Sequence, residues 1–122
     1  MKRFSKSVLA QLDDTRLLGV RSGDEHKFTR IWVVVVGDRV LIRSWNNKRT
    51  GWYESFRANP FGEIDLAGRL ISIRTKPVKG ERLLDLMDAA YAEKYNTKGS
   101  LKYVRGFRTT RRRMATLELL QK

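Results

Sequence analysis

The sequence predicts an α+β domain, or a small barrel, built from antiparallel hairpins with helices between them. Three observations carry this. A β-branched run at 29–36 turns back on itself through Gly37-Asp38. A second hairpin pattern follows at 61–76, with Ala67-Gly68 at its turn. Between and after them lie helical patterns rather than the alternating strand–helix units of a parallel sheet.

The elements follow in chain order. Ser7 is placed to cap a short helix that carries Val8, Leu9 and Leu12 on one face. Leu17 to Arg21 reads as a brief strand and Ser22-Gly23-Asp24-Glu25 as a turn. Thr29 to Val36 is the strongest strand pattern in the chain. Its four consecutive valines break alternation, which implies burial on both faces, as in a barrel wall against a partner or a helix. Gly37 suits a two-residue hairpin loop. The return strand, Arg39 to Trp45, alternates: Val40, Ile42 and Ser44 face one way, and Arg39, Leu41, Arg43 and Trp45 the other. Gly51 to Ala58 makes a short helix, which Asn59-Pro60 ends.

Phe61 to Leu66 and Arg69 to Lys76 form the second hairpin, closed by Pro77. Glu81 to Tyr95 is an amphipathic helix with Leu83, Leu84, Met87, Ala90, Tyr91 and Tyr95 on one stripe. Glu81 and Asp85 near its start and Lys94 at its end match the helix dipole. Asn96 to Arg113 has weak periodicity and many cations, and Ala115 to Leu120 reads as a final strand. The 122 residues suit one domain, 1–122, with no repeat or linker.

Composition removes several function classes. There is no cysteine and one histidine, His26, so no disulfide, thiolate nucleophile or His/Cys metal site is expected. No Gly-x-Ser-x-Gly elbow is present. The longest apolar run, Ile31 to Val36, is too short to span a bilayer, and no signal peptide pattern is found. A cytoplasmic protein without membrane contact is the expectation. The chain carries 26 Lys and Arg against 13 Asp and Glu, net +13. Residues 97–122 hold eight cations and one acid, net +7, which leaves +6 for the rest. Such a field attracts polyanions or anionic cofactors, or simply keeps the surface solvated.

The segment Trp45 to Pro60 concentrates binding chemistry: ahead of its helix stand two amides, Asn46 and Asn47, two cations, Lys48 and Arg49, and a glycine, and a Trp-Tyr pair opens the helix. Cations and free donors at the mouth of a helix suit an anionic group.

From Arg30 to Tyr95 the chain resembles the split-barrel flavin and deazaflavin binders, the pyridoxamine-phosphate-oxidase-like proteins among them. The resembling features are the Ser22-Gly23 turn, the hairpin ending in Ser44, and Trp52-Tyr53-x-x-x-Arg57-Ala58-Asn59-Pro60. A second hairpin and Val78-Lys79-Gly80-Glu81-Arg82 at a helix start complete them. More narrowly, Phe28-Thr29-Arg30-Ile31-Trp32 and Tyr95-Asn96-Thr97-Lys98-Gly99-Ser100 resemble a bacterial family known as domain of unknown function 2255. The resemblance implies a six-stranded antiparallel split β-barrel with flanking helices, a homodimer, and an FMN or deazaflavin cofactor in a groove lined by both subunits. Residues matching the phosphate-contacting strands and loop are Lys27, Arg30, Arg43, Ser44, Asn46 and Lys48; Trp45, Trp52 and Tyr53 would supply aromatic walls. One departure stands out. Asp24 and Glu25 follow Ser22-Gly23 where the deazaflavin group carries a basic turn, and they would repel a phosphate or polyglutamate tail.

Each candidate has a plainer assignment beside it. The aromatics suit core or dimer packing as well as ring stacking. His26 and Tyr53 are the only evident proton donors, and a lone histidine in a charged turn is usually a surface residue. No catalytic residue can be assigned and no metal is expected. Two functions remain: a flavin-type cofactor binder that would act as an oxidoreductase, and a cofactor-free basic module for nucleic acid or another polyanion. The second draws on Lys98, Lys102, Tyr103, Arg105, Phe107, Arg108, Arg111, Arg112 and Arg113, where cations interleave with aromatics. The flavin reading is preferred.

Overall fold

The computed structural model describes residues 2–46 and 48–122. Helix α1 (Lys6–Asp14) is capped by Ser5, not Ser7: Ser5 has extended backbone and its Oγ accepts from the Val8 amide, while Ser7 lies inside the helix. Strand β1 (Leu18–Ser22) leads through the expected turn to β2 (Thr29–Ile31). The long strand read from the sequence is broken here. Trp32 and Val33 leave the ladder, and the run resumes as β3 (Val34–Val36) before turning into β4 (Arg39–Arg43). Gly37 takes φ +64° at the first loop position, which the hairpin requires.

The break has a topological reason. One antiparallel sheet has the order β2-β1-β5-β6-β7-β4-β3, with β5 (Phe61–Leu66), β6 (Arg69–Pro77) and β7 (Thr116–Gln121) at its centre. Its two edge segments, β2 and β3, are joined by two residues, so the sheet must curl until its edges meet. The seven segments are thus six chain-continuous strands of a closed-up, split-barrel arrangement. At the joint, Val33 has no ladder partner for its backbone. The Tyr95 hydroxyl accepts from the Val33 amide at 3.1 Å, and Lys94 Nζ donates to the Val33 carbonyl at 2.7 Å. Buried backbone polar groups need such substitutes.

The alternation of β4 divides the interior as predicted. Val40 and Ile42 join Leu12, Val20, Phe56, Ile64 and Leu117 inside the barrel. Leu41 joins Leu84, Met87, Tyr91 and Tyr95 outside it, under α3 (Glu81–Lys94). Both faces of the valine run are covered accordingly. The segment read as irregular contains two short helices, α4 (Leu101–Gly106) and α5 (Thr110–Arg113). Their few turns give periodicity too little length to show. Among the described residues, no helix is long and apolar enough to cross a membrane.

Candidate functional site

Where β2 leaves the sheet, an open cleft of about 290 Å³ forms between the barrel and α4. Its walls are Arg30 and Ile31 from β2, Trp32 at the joint, and Arg43 and Trp45 from the end of β4. Trp52, first residue of α2 (Trp52–Ala58), and Tyr103 and Phe107 from α4 and its cap close it. Tyr103 and Phe107 stand four apart, so one helical face delivers both rings to the same side.

The aromatic walls are held from behind. Trp45 meets Tyr103 edge-on at 5.2 Å and Phe107 edge-on at 5.1 Å. Trp32 meets Tyr103 at 6.2 Å and 78°. In a second rank, Trp32 stacks on Tyr95 at 4.0 Å and Phe107 on Tyr91 at 4.9 Å. Edge-to-face and offset contacts of this kind fix ring orientation. Gly106 makes the close approach possible: a Cβ there would lie 2.3 Å from Trp45 Cη2.

Among the described residues no carboxylate lines the cleft, while Arg30 and Arg43 do. Arg30, half-exposed, pairs with Asp65 at 2.8 Å and holds that carboxyl below its usual range. Arg43 is wholly buried. Its Nε donates to Thr116 Oγ1, its Nη1 donates to Asp88 and to the Phe107 carbonyl, and its Nη2 has no partner among the described residues. Asp88 is shared with Arg113, which also pairs with Glu81 and Asp85. Arg112 lies over the Trp45 ring at 3.6 Å, and Lys102 Nζ is 5.1 Å from the centre of Tyr103.

The sequence-predicted residues divide. Arg30, Arg43, Trp45 and Trp52 come together at the cleft. Lys27 lies on the other side of Trp52, in a pocket of about 140 Å³ with His26, Thr29, Thr50 and Ser55. Ser44 is buried and donates to the Asn46 carbonyl, so its hydroxyl shapes the turn. Asn46 and Lys48 are exposed on that turn and do not line the cleft, and Asn47 is outside the described residues. Tyr53 packs on the barrel core, edge-on to Trp52 at 6.2 Å. Arg43 sits too deep for a surface phosphate because the outer face of β4 is covered by α3 and α4. At the mouth of α2, a helix of seven residues, the Gly51 amide donates to Lys48 O and is not free for a ligand.

Sequence reasoning missed Trp32, Tyr103 and Phe107 as cleft walls. In sequence Tyr103 and Phe107 stand among cations; in the fold Phe107 is buried, and Tyr103, 41% exposed, lies against Trp32 and Trp45. Arg112 and Arg113 are engaged internally as well. The signal available was the four-residue spacing of the two aromatics.

A family model described as "Uncharacterized protein conserved in bacteria (DUF2255)" matches residues 8–119. No curated protein matches the sequence. Among solved structures, a conserved hypothetical protein from Mycobacterium tuberculosis is similar, with TM-score 0.58 and 13% identity over 95% of this chain and 78% of that one. A FAD-binding protein from Mesorhizobium loti is also similar, with TM-score 0.55 and 13% identity over 98% of this chain and 91% of that one. At such identity the likeness is one of fold.

Proposed function

This chain belongs to the bacterial DUF2255 family, and from that premise we propose that it binds a flavin-type cofactor, FMN, FAD or a deazaflavin, with the ring in the aromatic cleft. The observation that carries the reading is the cleft itself: Trp32, Trp45, Trp52, Tyr103 and Phe107 around one opening, with Arg30 at its side. Its volume, about 290 Å³, sits at the small end of ligand pockets. That suits a planar ring system with its chain and phosphate left outside. Trp52 separates the cleft from the pocket that holds Lys27, so a tail crossing Trp52 would reach a second cation. The similar barrel of the Mesorhizobium loti FAD-binding protein supports the same reading.

A bound flavin would supply electron transfer. The chain would supply orientation through the aromatic walls and a positive field through Arg30 and Arg43. A homodimer whose second subunit covers the open side of the cleft belongs to this proposal, and oxidoreductase activity would follow from it. The test is an absorbance scan of freshly purified protein followed by titration with FMN, FAD and a deazaflavin. We expect saturable micromolar binding that weakens about fivefold in Trp45→Ala, since one aromatic wall contributes about 1 kcal/mol. A colourless protein that takes up none of the three at micromolar concentration overturns the reading.

One observation favours a second reading, polyanion binding. Lys98, Lys102, Arg105, Arg108 and Arg111 are exposed, and no salt bridge engages them among the described residues. About six phosphate contacts would lose roughly a thousandfold in affinity between 50 and 200 mM salt. A flat salt response removes this reading.

A further inference from the structure

We propose that the cleft selects planar aromatic ligands whose negative charge lies on the ring or directly beside it. The inference rests on the cleft being the ligand site, though not on the ligand being a flavin. Four cations bear on the walls from different elements. Arg30 lines the cleft from β2, and Arg43 lies beneath it with Nη2 unpartnered among the described residues. Arg112 covers a face of Trp45 from α5, and Lys102 stands beside Tyr103 on α4.

The balancing carboxylates stand behind these cations. Asp65 meets Arg30 and Asp88 meets Arg43, yet neither lines the cleft. Arg112 donates from Nε and Nη1 to the neutral Trp45 and Gly106 carbonyls, and no salt bridge engages it among the described residues. An aromatic cavity normally repels an anion through the negative faces of its rings. Here cations at the rings reverse that field. A neutral planar ligand gains the ring contacts alone; an anionic one gains the field as well. A phosphate on a long tail would sit outside the cleft and gain less from it.

The experiment compares two fluorescent probes with the same ring system, 8-anilinonaphthalene-1-sulfonate and uncharged N-phenyl-1-naphthylamine. Intact protein should bind the sulfonate about tenfold more tightly, because each partly exposed cation contributes a modest share. Trp45→Ala should weaken both probes, which places them in the cleft. Lys102→Gln and Arg30→Gln should shrink the ratio. Arg69→Gln, an equal loss of charge at the exposed start of β6, should leave it unchanged. Equal affinities for the two probes, or a ratio that Arg69→Gln lowers as much as Lys102→Gln, overturns the proposal. If FMN fails to bind while the preference holds, the flavin reading falls and this one stands. If FMN binds while the probes bind alike, the reverse follows.

Discussion

Arg112 lies flat over Trp45, its guanidinium 3.6 Å from the ring centre, while its Nε donates to the carbonyl of the same residue at 2.7 Å. A second bond, from Nη1 to the Gly106 carbonyl, ties the end of α4 into the contact. One side chain thus joins α5, α4 and the end of β4. Arg112→Ala should cost about 1–3 kcal/mol of stability, from one cation–π contact and two charged hydrogen bonds. Arg112→Lys should not restore it, because an ammonium cannot stack and fork at once. Urea unfolding curves of the two variants check this.

The same contact makes Gly106 intolerant of a side chain. A methyl group would lie 2.3 Å from Trp45 Cη2 and 2.7 Å from Cζ3. The indole is fixed by Arg112, so α4 or the ring must shift. Gly106→Ala should destabilise by about 1–3 kcal/mol, an overpacking cost larger than any gain in helix propensity. It should also weaken ligand binding together with stability, read by calorimetric melting and by probe titration.

Ala67 points to a gain. It sits at the tip of the β5–β6 hairpin with φ +53°, followed by Gly68 at +90°. A side chain other than glycine or asparagine is strained there. Asn-Gly is the preferred pair for a turn with both central residues at positive φ. Ala67→Asn should raise stability by about 0.5–1 kcal/mol. Thermal denaturation should show a higher Tm with cofactor binding unchanged.

Lys94 gives the fold a pH dependence. Burial pushes its ammonium down to about 8, although Nζ still donates to the Leu12 and Val33 carbonyls. Asp13, Asp14, Arg16 and Glu93 are the charged groups around it. Between that value and the ordinary lysine range the unfolded chain holds the extra proton, so stability should rise as pH rises through this window. Burial also lifts Tyr95 to about 12, and that contribution has the opposite sign above pH 10. The difference in unfolding free energy between the native chain and Lys94→Met should therefore grow in favour of the native chain from pH 8 to 10. A constant difference across that range contradicts the assignment.

Much of the architecture was legible because it is written in short periods. The period-two pattern of Arg39 to Trp45 and the stripe from Leu83 to Tyr95 each sort residues onto the faces observed. The break at Trp32-Val33 was not legible, because both halves are equally β-branched. Only the partners, β1 on one side and β4 on the other, separate them. The cleft was half legible. Trp45 and Trp52 belong to a segment whose composition announces chemistry. Tyr103 lies in a helix of six residues and Phe107 caps its end, a stretch too short for a periodic signal to outweigh the cations. Arg43 is recognisable as a cation, but its burial depends on Asp88, 45 positions later.

The position of β7 sets an order of events for a chain emerging from a ribosome. Residues 116–121 follow the other strands of this sheet in the chain, yet they lie between β6 and β4. Without them, β4 of the β3–β4 hairpin and β6 of the β5–β6 hairpin would each be left with an unsatisfied edge. Closure is therefore a single late insertion rather than a gradual zippering, and the nascent chain carries two adhesive edges until synthesis has passed Gln121.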